Sequence, residues 1–349
     1  MRPLHLVILF LFIAALPCAA SANTIAELEL MTKTKPLLSE AWDRYGMALP
    51  RAQRFSEAQD ASNRALKLAQ SDDKSLLHHL ALTYAWSGDY KEAINRYKRL
   101  VQKYPRDSRI LIDLGQTLAW DKRYSEAARL YQSVLADEPD NVEAHRHLGL
   151  LEAWQGRYES ALLQLERGLA IEPKNLQLIA DHADILFWKG DLQAATAACE
   201  LLVKIAPENE DYWLKLARAY TWQGYNRQAF ASYETALSLN PENVDAYIGF
   251  ARVHRDNHQY NEAEWPLREA LTRFPADVRL ANELSSLAAQ SSLSIKEIIE
   301  LIQPLIFLII LLALALHIWR DRRVLRRRHL TARVFLPALP ALALLIGVV

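Results

Sequence analysis

One pattern recurs every 34 residues through most of this chain. Ala93, Ala127, Ala161, Ala195, Ala229 and Ala263 stand 34 apart. Pro105, Pro139, Pro173, Pro207, Pro241 and Pro275 keep the same step, and so do Trp86, Trp120, Trp154, Trp188 and Trp222. A fixed period of this length excludes a single large core. It implies a solenoid, which grows by stacking supersecondary units that each contact only their neighbours.

Each unit reads as two helices. In the third copy, helix A is expected over Ser108 to Trp120, where Leu111, Leu114, Gly115 and Leu118 recur at helical spacing on one face. Gly88, Gly156, Gly190 and Gly224 fall at one fixed place after helix A, where glycine can take the left-handed conformation that ends a helix. Helix B carries the small Ala at constant phase, which lets the two helices approach closely. Proline then stops helix B, and an Asp or Asn two residues later is placed to cap the next helix A (Asp107, Asn141, Asn175, Asn209, Asn243, Asp277). Copies two to seven start near Lys74, Ser108, Val142, Leu176, Glu210 and Val244. A looser first copy begins at Ser39, and a capping helix without a partner follows over 278–290.

These marks carry a resemblance. From about Ser39 to Gln290 the chain resembles tetratricopeptide repeat (TPR) proteins. The family's Leu-Gly pair, turn Tyr, helix B Ala and closing Pro fall on Leu114, Gly115, Tyr124, Ala127 and Pro139 in the third copy, and on Leu148, Gly149, Tyr158, Ala161 and Pro173 in the fourth. Leu118, Glu152 and His254 depart from the family's late helix A Tyr, and His182 replaces the Leu of the pair. The resemblance implies an all-α superhelical solenoid of about seven repeats that binds partners in a concave groove.

The net charge of zero hides a partition. Residues 1–22 carry Arg2 alone, 301–349 carry seven Arg and one acid, and 23–300 carry 33 basic against 40 acidic residues. The cations gather beside apolar segments, which indicates membrane topology and not nucleic acid. The start reads as a cleaved signal peptide over 1–22: a 13-residue apolar run from Leu4 to Leu16, then Ala20-Ser21-Ala22. A lead-in occupies 23–38 and the solenoid 39–290. Ser291 to Ser294 reads as a linker. Ile298 to Trp319 is an apolar stretch of 22 residues with one acid, and it reads as a transmembrane helix. Residues 320–333 form a basic loop, whose arginines mark the cytoplasmic side. Residues 334–349 are a second apolar segment, which reads either as a short helix completing a hairpin or as part of a larger membrane protein. The expected location is therefore the bacterial inner membrane, with the solenoid in the periplasm.

No motif for catalysis, phosphate binding or a cofactor is evident, so the chain reads as a non-enzyme with no cofactor and no metal. His254 and His258 are four apart but straddle the end of helix A. Cys199, among Ala195, Ala198 and Leu202, reads as a small core residue.

The tryptophans exceed what generic packing needs. Counting from the first residue of each copy, Trp is at position 13. At about 100° per residue it points almost opposite to the core positions 4, 7 and 11, beside positions 2, 5 and 9. In the family this side lines the groove. The candidate partner-binding residues are therefore Trp86, Trp120, Trp154, Trp188 and Trp222, with Arg109, Gln116, Asp184, Arg218 and Arg252 near them. The alternative is that each Trp packs on the turn of the neighbouring repeat. The Ala-Trp-x-Gly-x-Tyr turn is similar to the tetratricopeptide arms of bacterial exopolysaccharide synthesis and export proteins, including those of the cellulose and poly-N-acetylglucosamine systems. That likeness implies a membrane-anchored periplasmic scaffold for envelope or membrane proteins, with a polysaccharide as the other candidate ligand. Two further readings stay open: the binding arm of a larger membrane enzyme or transporter, and a periplasmic sensor.

Overall fold

The computed structural model describes residues 22–69 and 73–327. Helices α1 (Ala22–Thr34), α2 (Ser39–Ala48), α3 (Phe55–Ala69), α4 (Lys74–Trp86), α5 (Tyr90–Lys103), α6 (Ser108–Trp120), α7 (Tyr124–Asp137), α8 (Val142–Trp154) and α9 (Tyr158–Ile171) come first. Then come α10 (Leu176–Lys189), α11 (Leu192–Ile205), α12 (Glu210–Gln223), α13 (Asn226–Leu239), α14 (Val244–Asp256), α15 (Tyr260–Arg273) and α16 (Val278–Arg327). No strand occurs among the described residues. The chain divides into two units, one up to Pro241 and one from Glu242. The fold is an all-helical repeat solenoid, and helices A start at the residues that the period marks.

The punctuation works as the chemistry requires. The side chains of Asp73, Asp107, Asn141, Asn175, Asn209, Asn243 and Asp277 each accept backbone N–H bonds from the first turn of the following helix. Each such cap contributes ~1 kcal/mol. At the A–B turn, Gly88, Gly156, Gly190 and Gly224 have φ between +75° and +91°. In the other three copies a non-glycine residue holds the turn in the same conformation, Gln53, Lys122 and His258 at φ +59°, +62° and +60°. The turn keeps its left-handed residue even where no glycine supplies it, because the hydrogen bonds on either side fix the backbone.

The phase Ala of helix B is fully buried in every copy, including Ala58 of the first. Where it packs, helix A presents a small residue. A Cβ on Gly115 would stand 2.6 Å from Tyr131, and one on Gly149 would stand 3.1 Å from the Ala161 carbonyl. Tyr97, Tyr131 and Tyr233 fill the same place in α5, α7 and α13 and are fully buried. Cys199 takes that place in α11, and burial pushes its thiol up to about 12, which leaves it an inert core residue.

Two expectations for the C-terminal part are corrected. The Ser291–Ser294 linker is helical, because α16 runs unbroken from Val278 to Arg327. The four residues Ser291 to Ser294 include no Gly or Pro to stop it. Among the described residues no helix is long and apolar enough to cross a membrane, so the spanning helix expected over 298–319 is not found. The stretch of α16 from Ile302 to Leu314 is apolar apart from Gln303. Its side chains are exposed all the same, Leu305, Ile309 and Leu312 each by about 60%. The expected signal peptide up to residue 21 and the second apolar segment over 334–349 lie outside the described residues.

Candidate functional site

The A helices decide what the solenoid presents. Their core face packs on their own B helix. The opposite side carries positions 2, 5, 6, 9 and 13, and packing between consecutive A helices closes much of it. Leu82, Ile112 and Leu150 on that side are buried.

The five tryptophans are not equivalent. Trp86 and Trp154 are half-buried against one apolar cluster, and Trp188 against the next. Trp120 stands 6.3 Å from the Tyr90 ring, at the first residue of the preceding B helix. Tyr124 and Trp154 share a cluster in the same way, as do Tyr158 and Trp188. The preceding B helix thus offers a tyrosine to each of these three tryptophans. At the next step the tyrosine is replaced by Leu192, and Trp222 is 63% exposed. Trp222 keeps an edge-on contact with Phe187 at 5.4 Å, and Tyr225 beside it is 48% exposed. Half-buried rings and an open ring therefore occupy one repeated position.

Among the polar candidates, Arg109 and Arg218 are exposed and Gln116 is half-buried. Asp184 is held by Lys215 at 2.5 Å. In the second unit, Arg252 makes a two-pronged bond to Glu283, with both distances 2.9 Å.

Sequence reasoning missed a ladder of polar contacts between consecutive A helices, ion pairs where Arg or Lys meets a carboxylate and hydrogen bonds where His does. Position 6 of one copy meets position 5 or 9 of the copy before. His79 lies 2.9 Å from Asp43, His78 lies 2.6 Å from Asp113, Arg146 bonds Asp181 at 2.6 Å, and Lys215 bonds Asp184. Glu283 repeats the arrangement in the second unit, with Arg252 and Arg255. The signal was present as opposite charges about one period apart. Burial pushes the Asp181 carboxyl up, against the pull of Arg146. The hydrogen bond with His147, aided by Arg146, pulls Glu143 down to about 2. Among the described residues no group of three or more His, Cys, Asp or Glu is arranged to hold a metal.

Comparison with known proteins agrees with this architecture. The tetratricopeptide repeat family matches residues 87–151, 118–180 and 153–219, and again 210–243 and 232–264. The matches together run from 87 to 264, just over half of the chain. The chain belongs to the tetratricopeptide repeat proteins. No curated protein matches it. Among solved structures, yeast Tom70 is similar at TM-score 0.59 and 15% identity, over 77% of this chain and 59% of that one. A tetratricopeptide repeat protein from Parabacteroides merdae is similar at TM-score 0.51 and 16% identity, over 72% of this chain and 98% of that one. The Cut9–Hcn1 hetero-tetramer of APC/C is similar at TM-score 0.52 and 15% identity, over 76% of this chain and 52% of the matched chain. At these identities the likeness is one of fold.

Proposed function

We propose that the chain is a non-catalytic scaffold that holds protein partners against the side of the A helices carrying the tryptophans. In this reading it is attached to a bacterial inner membrane, its solenoid lies in the periplasm, and its partners are proteins of envelope or exopolysaccharide assembly. The observation that carries the binding role is Trp222. A large ring that is 63% exposed at a position half-buried elsewhere, with Phe187 behind it and Tyr225 beside it, is the kind of anchor on which interfaces concentrate their energy. Arg109, also exposed, adds a cation on the same helix side. Membrane attachment is supported by the exposed apolar run from Leu305 to Leu316 in α16, a surface that water does not favour. The arginines from 320 onward in the sequence follow it directly.

The test is crosslinking and co-purification of the full-length protein from native membranes, beside a variant carrying Trp222→Ala. Recovery of a defined set of envelope proteins that the folded variant loses supports the scaffold. Recovery of nothing specific, or equal recovery by the variant, overturns the assigned face.

A further inference from the structure

Helix α5 stands apart from the rest of the solenoid in its charge. Lys91, Asn95, Lys98, Arg99 and Gln102 fall within an arc of about 100° when successive residues turn by ~100°. All five are exposed, and exposed Arg106 follows in the turn beyond the helix. The arc runs for roughly 17 Å at helical rise. Tyr97 and Leu100 sit on the opposite, buried side. Arg96 is occupied by Glu92 and by the Tyr84 ring. Lys91, Lys98, Arg99 and Arg106 make no ion pair among the described residues. The result is a strip of cations without a close ion pair, of which Lys98 alone feels a carboxylate across the groove at Glu126, with amide side chains between them, in a solenoid whose residues 23–300 carry seven more acids than bases.

We infer that the exposed face of α5 binds a strand of acidic polysaccharide, one that carries carboxylates along its length. The width of the strip carries the choice of strand over surface. The B helices on either side show exposed side chains of mixed sign: Glu57, Asp60, Arg64 and Lys67 on α3, and Glu126, Arg129 and Asp137 on α7. An anionic membrane would meet those carboxylates as well as the strip, and they would repel it. A single strand laid along α5 avoids them. The composition of the strip carries the choice of polymer. No large apolar side chain is exposed on this helix, so a folded protein would find no buried anchor there. No exposed aromatic side chain stands on the face, so single-stranded nucleic acid would lack the ring stacking that holds its bases. Cations at Lys91 and at Lys98 with Arg99 stand about seven residues apart, ~10.5 Å on a helix, a spacing on the scale of a disaccharide, and Arg106 follows in the turn beyond. Asn95 and Gln102 stand between them and can exchange hydrogen bonds with hydroxyl groups.

The inference deepens the scaffold reading by naming a polymer class, but it uses a different face. Loss of polymer binding would leave the capture of protein partners by the tryptophan side intact, so the two fail separately.

The test is titration of the full-length protein in detergent micelles with a polygalacturonate oligomer at low and high salt. Neutral dextran, phosphatidylglycerol vesicles and single-stranded DNA run in parallel. One variant carries K91Q, K98Q, R99Q and R106Q. A control removes four exposed cations from other places, K67Q, R129Q, K174Q and R227Q. The expected result is salt-sensitive binding of polygalacturonate and not of dextran. The α5 variant should bind roughly tenfold more weakly or worse, since each lost cation removes a salt-screened contact, and the control should bind as the unaltered protein does. Equal binding by both variants overturns the inference. So does binding of vesicles or DNA in place of polygalacturonate. An unchanged far-UV circular dichroism spectrum in the α5 variant assigns any loss to the strip and not to unfolding.

Discussion

The contact between Arg146 and Asp181 joins the fourth repeat to the fifth, and it allows the clearest numerical prediction. The Arg146 side chain is 12% exposed and that of Asp181 is 11%, with Nε and carboxylate 2.6 Å apart. Removing one partner leaves the other charge in a place water hardly reaches. Arg146→Met should therefore cost ~3–5 kcal/mol. Asp181→Leu should cost less, about 1–3 kcal/mol, because Glu143 still lies 3.4 Å from Arg146. The double variant replaces a buried pair with apolar side chains and should return to within about 1 kcal/mol of the starting protein. The cycle then gives a coupling of roughly 3 kcal/mol or more. The pH dependence follows from the direction of the Asp181 shift. Burial already lifts this carboxyl above its ordinary value, and loss of Arg146 lifts it further. A raised carboxyl contributes stability below its unfolded value and loses that contribution as pH rises through the folded one. The Arg146→Met deficit should accordingly be largest near neutrality and smaller in mild acid. Urea unfolding of the full-length protein and its three variants, followed by circular dichroism at both pH values, measures all of this. Single-variant costs under ~1 kcal/mol, or costs that simply add, would refute the account of the pair as a buried link between repeats.

Three further outcomes are expected. At the A–B turns, Gly156→Ala should lose ~1–2 kcal/mol from the left-handed backbone alone, since an added Cβ there meets nothing within 4 Å. Lys122→Gly, at the same place in its own repeat, should gain a few tenths to about 1 kcal/mol; thermal unfolding compares the two. Gly115→Ala should cost ~1–3 kcal/mol, because its Cβ would stand 2.6 Å from a Tyr131 ring that is 1% exposed and cannot retreat, and the same unfolding assay reads it. Glu143 is held at about 2 chiefly by the His147 bond, so its contribution is complete above the ordinary value of 4.5 and fades as pH falls toward 2. The side chain is 57% exposed, so water screens the effect and Glu143→Gln should flatten the acid limb of stability by less than ~1 kcal/mol.

Most of the fold was legible because the period is written in residues with strong backbone preferences. Proline stopped the B helices, and Asp or Asn capped the A helices where the spacing placed them. Lys122 and His258 show that the turn geometry outlives its glycine, which composition alone does not reveal. The linker at Ser291–Ser294 was misread because its serines came without the Gly or Pro that would break a helix, and α16 runs through them. The candidate site was legible in part. Counting angles on an isolated helix A put Trp opposite the core, but a single helix contains no neighbouring repeat. The burial of Leu82, Ile112 and Leu150, the tyrosines behind three of the tryptophans and the ion pairs all depend on that neighbour. So does the exposure of Trp222, which follows the replacement of a tyrosine by Leu192 in the preceding repeat.

Trp222 is also where packing and binding give opposite answers, so the most direct measurement is a paired one on Trp222→Ala. The urea midpoint and the recovery of crosslinked partners from native membranes are both read on the full-length protein. The account predicts a change in stability within about 0.5 kcal/mol, as for an exposed side chain, together with a clear loss of captured partners. Unchanged capture would contradict the binding role of the tryptophan side, and a large fall in stability would show that the ring serves packing.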